Sequence, residues 1–517
     1  MASLSPDQAP TLVFIGFMAA GKSRAAAAVA EALGEPWVDS DEEFERVHGS
    51  IHGAFTSERG EAAFRAAEQE VVLELLERGP SVLALGGGAI ESPAVREALH
   101  GHVVVWRRVS LEEARRRVDR GSAKARPLAA DHDAFRERFE RREPIYAELA
   151  TAILPEGDRG LPVRAAPTLA ALRRLPDVRM AWAASASGEY PAFIGRGLVG
   201  SGFWPLEGRR YLITDTEVGR RYGEAIEPVA GRIELAPGEQ AKTLSEAERV
   251  LRELASLGMT RSDHVVALGG GVVGDLAGFC AATYQRGVPV VQVPTTLVAQ
   301  VDSAYGGKTG VDIPGAKNYV GAYHQPAAVL ADPEVLATLS REELAAGFVE
   351  VLKTALIAGG VLWERVRSIE QLDPAELDDV IFACARTKLE IVAEDERDAG
   401  RRQALNLGHT VGHAIEAASG YRRYRHGEAV GLGLLAALRL SGADGLRDQV
   451  EAALEHHGLP TSLDEGTGLE DVLEAIGRDK KRDLDGVGFV LLEHPGGARS
   501  GARVDAASVR AAVEELR

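Results

Sequence analysis

Three groups of residues in this 517-residue chain have the types and spacing to do chemistry. The first is Gly16-Phe17-Met18-Ala19-Ala20-Gly21-Lys22-Ser23 followed by Arg24, a G-x-x-x-x-G-K-[ST] run. Its glycines let backbone N–H groups wrap phosphate oxygens, Lys22 can neutralise β/γ charge, and Ser23 can hold Mg2+. Asp39 and Asp41 follow a short apolar stretch, where strand alternation puts both on one side, as Mg2+ and an acceptor hydroxyl require. The second group is His409 and His413, four apart and so on one helical face, with His426 opening the next helix and Glu350 on an earlier one. Two or three imidazoles and a carboxylate on neighbouring helices make a Zn2+ site with an open position. The third is Gly269-Gly270-Gly271 with Gly274-Asp275, a glycine turn that opens a helix and suits a pyrophosphate, though not at the usual G-x-G-x-x-G spacing.

Those groups need scaffolds. Up to about residue 175, short apolar runs (Thr11–Gly16, Ser81–Leu85, Val103–Trp106) alternate with amphipathic stretches near 22–33, 61–78 and 111–120, the pattern of βαβ units and a parallel sheet. A second alternating region carries Tyr211–Thr214, Arg232–Leu235, Val265–Leu268, Val290–Val293 and Ala328–Ala331 as strands. From Ser340 onward the pattern turns to long helices, 341–358, 374–395, 407–419 and 427–440. Pro176 and the Ala-Ser-Ala-Ser-Gly run at 184–188 mark 176–190 as a linker.

Composition bounds the partners. The chain carries 59 Lys+Arg against 77 Asp+Glu, a net charge of −18, which argues against nucleic-acid and membrane-surface binding. Two cysteines, Cys280 and Cys384, give neither a disulfide framework nor a Cys-based metal site. The first ten residues lack the basic start of a secretory signal, and Ala429–Leu438, the longest apolar run, is too short for a membrane span, so a cytoplasmic protein is expected. Basic residues nonetheless gather in places. The stretch 107–142 has 12 Lys/Arg and reads as a lid, and Lys308 lies in the Gly-rich turn 306–310.

Residues 10–175 resemble shikimate kinase through Gly16–Ser23, Asp39, Asp41, Phe64-Arg65, Gly86-Gly87-Gly88, Arg126-Pro127-Leu128 and Arg142 ahead of Pro144-Ile145-Tyr146. The resemblance implies ATP and Mg2+ on Gly16, Ala19, Ala20, Gly21, Lys22, Ser23, Arg24, Asp39 and the lid residue Arg126. It puts shikimate on Asp41, Arg65, Gly86, Gly87, Gly88 and Arg142, with Lys22, Asp41 and Arg126 catalytic. Residues 190–517 resemble 3-dehydroquinate synthase through Pro237–Lys242, Gly269–Asp275, Val293–Leu297, Gly306–Asp312, Lys317-Asn318 and Asn406–His413. That resemblance implies Zn2+ (or Co2+) on Glu350, His409 and His426, and NAD+ on Asp215, Glu239, Lys242, Gly270, Gly271, Asp275, Thr295 and Thr296. It implies substrate on Arg286, Asp302, Lys308, Lys317, Asn318, Lys353, Lys388, Arg402, Asn406 and His413, with His413, Lys308 and Lys353 catalytic and a phosphate contact from Lys480 or Lys481.

The expected architecture is α/β throughout. A P-loop kinase domain with a parallel sheet (1–175) precedes the linker (176–190), a Rossmann-like NAD-binding half (191–335) and a mainly helical metal- and substrate-binding half (336–517). The implied protein is a bifunctional enzyme of aromatic amino-acid biosynthesis, acting on small molecules and dimeric through its second part.

Overall fold

The computed structural model describes residues 9–56, 60–120, 131–314, 316–477, 482–483 and 486–517. Arg126, Lys480 and Lys481 lie outside the described residues. The chain divides into two compact units, 1–182 and 183–517.

In the first unit, short apolar runs form the strands β1 (Leu12–Ile15), β2 (Trp37–Asp39), β3 (Val82–Ala84), β4 (Val103–Arg107), β5 (Ala152–Leu154) and β6 (Val178–Ser185). The central ones, β1, β3, β4 and β5, are buried throughout, as a parallel sheet demands. The strands pair in parallel in the order β2-β3-β1-β4-β5-β6. Their carboxyl ends therefore share one edge. Gly16 follows β1, Asp39 ends β2 and Gly86 comes just after β3, so residues distant in sequence meet there.

The second unit holds another parallel sheet, of β7 (Gly188–Gly195), β8 (Arg210–Asp215), β9 (Gly231–Leu235), β10 (His264–Gly269), β11 (Val290–Pro294) and β14 (Ala328–Ala331), ordered β7-β14-β11-β10-β8-β9. Asp215, Gly269 and Thr295 fall at its carboxyl edge. Between β11 and β14 runs an antiparallel hairpin, β12 (Lys308–Ile313) and β13 (Ala316–Tyr323). Helices follow: Arg341–Ala358, Asp378–Glu394, His409–Ala418 and His426–Leu440. The first is buried continuously from Leu344 to Ile357, so its polar residues, Glu350 and Lys353, are inside the protein. Glycine brings the helix backbones together. A Cβ on Gly427 would stand 1.8 Å from the Ala346 carbonyl oxygen, and one on Gly433 2.0 Å from that of Gly408.

Residues 176–190, expected as a linker, contain the boundary between the two units and carry β6 and the start of β7. Val178, Met180, Ala181, Trp182 and Ala183 are buried, and this apolar run outweighs the flanking Pro176 and the Ala-Ser-Ala-Ser-Gly turn. The mainly helical second half also contains a small antiparallel pairing of Gly486–Leu492 with Ala498–Arg503.

Candidate active sites

The phosphate loop bends through left-handed backbone at Gly16 (φ 144°), Ala19 (φ 62°) and Gly21 (φ 86°) before the helix Lys22–Leu33. At Gly16 the bend is obligatory, because a Cβ there would lie 2.5 Å from the Arg107 carbonyl oxygen. Lys22 Nζ donates to the Phe17 carbonyl (3.3 Å), so the lysine arches over its own loop with Ser23 and Arg24 beside it. Ala20 is buried beneath. Phe17 is wedged edge-on against Phe135 and Phe139. Asp39 is buried and caps the next helix, accepting from Asp41 N–H (2.9 Å).

The glycine triplet forms the other wall. A Cβ on Gly86 would meet Asp41 Oδ1 at 2.6 Å, one on Gly88 would overlap the Arg65 guanidinium, and Lys22 Nζ would be 3.7 Å from one on Gly87. Asp41 and Arg65 thus crowd Gly86 and Gly88 too closely for a side chain at either, and Lys22 stands beside Gly87. Arg142 is 3% exposed, donates to Glu91 Oε2 (2.7 Å), and leaves its Nε buried with no hydrogen-bond partner among the described residues. An unpaired buried donor beside a glycine cradle fits an anion that comes and goes. Three supporting residues carry no assigned role in the sequence reading. Tyr146 OH donates to the Gly87 carbonyl (2.5 Å), Ser40 Oγ accepts from Gly86 N–H (2.9 Å), and Glu91 pairs with Arg141 and Arg142.

In the second unit, Glu350, His409 and His426 bring one donor atom each within 4.8 Å of one another. Glu350 Oε1 lies 3.6 Å from His409 Nε2 and 3.3 Å from His426 Nε2, and accepts no hydrogen bond although Glu350 is 1% exposed. An orphaned buried carboxylate oxygen facing two ring nitrogens suits a divalent cation of borderline softness, Zn2+ or Co2+. Burial disfavours charge on His426, but Glu350 and Glu416 outweigh it and raise its pKa to about 10, so a cation entering there takes the place of a proton.

Charges alternate outward from this point. Lys353, 1% exposed, pairs with Glu350 and with Asp302 (2.6 Å), and Asp302 pairs with Lys388. Burial would raise Asp302, yet the two lysines hold it well below the carboxylate range. Burial lowers Lys388 to about 8 in spite of Asp302. On the other side His426 meets Glu416 (3.4 Å), which meets Lys317 (3.2 Å). Burial again opposes ionisation, but the hydrogen bond from His426 and the charges of His426, Lys317 and His413 keep Glu416 at about 2. Glu416 was not singled out from the sequence, although its place three residues after His413 could have found it.

A cavity of about 1060 Å³ opens beside the cation site. Asp215, Glu239, Lys242, Gly270, Gly271, Asp275, Thr295 and Thr296 all line it, together with Lys317, Asn318 and His413. Gly270 caps the helix Gly271–Thr283, and a Cβ on it would stand 2.9 Å from Thr296 Cγ2. Thr295 Oγ1 is buried with no partner. Lys242 pairs with Asp275 (2.6 Å). A helix N-terminus, an unpaired hydroxyl and a passage only glycine permits fit a dinucleotide. The remaining expected residues lie off the cavity wall. Lys308 pairs with Asp398, Asn406 donates to the Gln403 carbonyl (3.1 Å), and Arg402, 1% exposed, donates to the carbonyls of Glu396 and Gly306. Arg286 is exposed in a left-handed turn and is not among the cavity residues.

The folds and sites fit a P-loop phosphotransferase unit followed by an α/β and helical enzyme unit with a candidate cation site beside a cavity suited to a dinucleotide. The shikimate kinase family profile matches residues 18–164, and those of the 3-dehydroquinate synthase N-terminal and C-terminal regions match 232–346 and 347–482. The 3-dehydroquinate synthase of Symbiobacterium thermophilum is 42% identical over 351 residues, 63% of this chain and 98% of that protein. That of Caulobacter vibrioides is 44% identical over 325 residues, covering 59% and 88%. Among solved structures, a 2-epi-5-epi-valiolone synthase from Streptomyces hygroscopicus with NAD+ and Zn2+ bound aligns with a TM-score of 0.59 at 26% identity, over 64% of this chain and 98% of that one. The chain belongs to the 3-dehydroquinate synthase family and carries a shikimate kinase domain ahead of it, joining two enzyme activities of the shikimate pathway.

Proposed function

We propose that the first unit phosphorylates shikimate from Mg2+-bound ATP, and that the second converts 3-deoxy-D-arabino-heptulosonate 7-phosphate to 3-dehydroquinate and phosphate. In the kinase, the loop N–H groups and Lys22 would take the triphosphate, and Ser23 and Asp39 would help hold its Mg2+. Arg65, Arg142 and the triplet Gly86–Gly88 grip the acceptor's carboxylate, and Asp41 orients its hydroxyl. Arg126 is assigned to the lid on the family resemblance alone.

In the synthase, Glu350, His409 and His426 would hold the cation, and Gly270, Gly271 and Lys242 would bind NAD+. When bound, the cation polarises substrate hydroxyls and NAD+ accepts and returns a hydride. Lys317, Lys353, Lys388, Lys308 and Arg402 set a positive field for the carboxylate and leaving phosphate, and His413 carries a proton at the cavity wall. The observation that carries this reading is the unpaired Glu350 oxygen between two Nε2 atoms. Glu350→Gln should strip the metal, read by elemental analysis, and stop phosphate release; unchanged metal content in the folded variant sinks the ligand assignment. The family resemblance supports a homodimer formed through the second unit. The two fully buried free thiols, Cys280 and Cys384, support a reducing, cytoplasmic setting.

A further inference from the structure

We infer that Glu416 is a positioning residue that orients His426 for the cation and ties this ligand to Lys317 of the substrate cavity. The inference rests on the ligand assignment above. A metal-binding imidazole must present one nitrogen bare, and what its other nitrogen touches decides which one. His409 Nδ1–H donates to the Leu407 carbonyl (3.1 Å), which leaves Nε2 facing Glu350. His426 reaches the same tautomer through a different acceptor. Its Nδ1–H donates to Glu416 Oε2 (3.4 Å), leaving Nε2 3.3 Å from Glu350 Oε1.

The two orienting groups are not equivalent. A backbone carbonyl is fixed to the chain and has one orientation, whereas Glu416 is a side-chain carboxylate, 3% exposed, that offers one oxygen to His426 and the other to Lys317. That second oxygen accepts from Lys317 Nζ (3.2 Å). Lys317 in turn lies 3.8 Å from Glu239, a residue of the dinucleotide cavity, and 4.7 Å over the Tyr421 ring. One carboxylate therefore divides its charge between a metal ligand and a cavity lysine. When Lys317 is engaged elsewhere, more of that charge is available to His426, and the imidazole becomes a stronger donor.

The side chain can be tested without disturbing its helix end. The bonds made there by Glu416 come from its backbone carbonyl, which accepts from Ser419 Oγ (3.0 Å) and Tyr421 N–H (2.8 Å). In the full-length protein, Glu416→Gln should weaken Zn2+ binding by about 10–100-fold, measured by competition with a chromophoric chelator. Lys317→Met should tighten Zn2+ binding, and that gain should vanish in the Glu416→Gln background, which a through-space charge effect alone would not do. Glu416→Asp keeps the charge but shortens its reach. It should fall between wild type and Gln, and it serves as the test if Gln does not fold, with the visible spectrum of the Co2+-loaded protein as a second readout. Wild-type Zn2+ affinity in folded Glu416→Gln, with Glu350→Gln having lost its metal, overturns the inference and leaves the ligand assignment standing. Metal retained by Glu350→Gln overturns that assignment instead.

Discussion

A lysine enclosed by protein keeps its proton only as far as its neighbours allow, and Lys388 is the case that shows in a rate. With its pKa near 8 it is charged below that pH and neutral above it. The KM for the anionic seven-carbon substrate should therefore rise as pH climbs through 8. Lys388→Arg, whose guanidinium stays protonated, should flatten that rise between pH 6.5 and 9.5. An identical profile for the two proteins would remove Lys388 from anion binding. Residues of this kind were only partly legible in the sequence. Gly16–Ser23 and His409/His413 declare themselves because their chemistry is local, set by one turn or one helical face. The pairing of Asp302 with Lys353 and Lys388 comes from three separate elements, so spacing is silent on it and only family resemblance drew those residues together. The Arg402 guanidinium donates to two backbone carbonyls, and burial of that kind leaves no trace in a motif.

At the scale of elements, glycine sets the width of the cation site. Gly433 and Gly412 let the helices His409–Ala418 and His426–Leu440 touch backbone to backbone, and Gly427 does the same against Arg341–Ala358. Gly433→Ala should cost about 1–3 kcal/mol of stability by forcing the helices apart. It should also weaken metal binding, since His409 and His426 ride on the two helices. A thermal melt and a chelator titration read the two effects, and a variant that melts and binds like wild type would show that the helices have slack. The alternation of apolar runs revealed both parallel sheets, because strands buried on two faces read as continuous hydrophobic stretches. It failed at 176–190, where prolines and small residues hid β6 and the start of β7. It failed again at β12 and β13, whose residues are mostly polar or half exposed.

On the scale of the whole molecule, two predictions follow from separate sites and from burial. Lys22→Ala should abolish ATP-dependent shikimate phosphorylation while phosphate release from the heptulosonate continues. Loss of both activities in a folded variant would mean that the units communicate. The pH dependence of folding should carry a signature from His264, 1% exposed and accepting a hydrogen bond from Trp204 Nε1 (2.9 Å). Burial lowers its pKa from 6.5 to about 4. The unfolded chain binds the proton more readily, so this contribution is complete above about 6.5 and is lost as pH falls toward 4, amounting to about 3 kcal/mol. His264→Gln should narrow the difference in melting temperature between pH 7 and pH 5, and equal differences in the two proteins would refute the assignment. The net charge of −18 gives no sign of how charge is arranged inside.

That arrangement is a single file of alternating sign, from Lys388 through Asp302, Lys353, Glu350, His426 and Glu416 to Lys317. Its members differ in how far they depend on one neighbour: without Asp302, Lys388 loses its carboxylate partner while Lys353 keeps Glu350, and without Glu416, Lys317 still has Glu239 at 3.8 Å. The harm from one substitution therefore depends on whether it leaves a buried charge with no partner. A lineage or a designer seeking a new ring-closing specificity here meets the steepest step at Asp302, where a compensating change at Lys388 has to accompany the first.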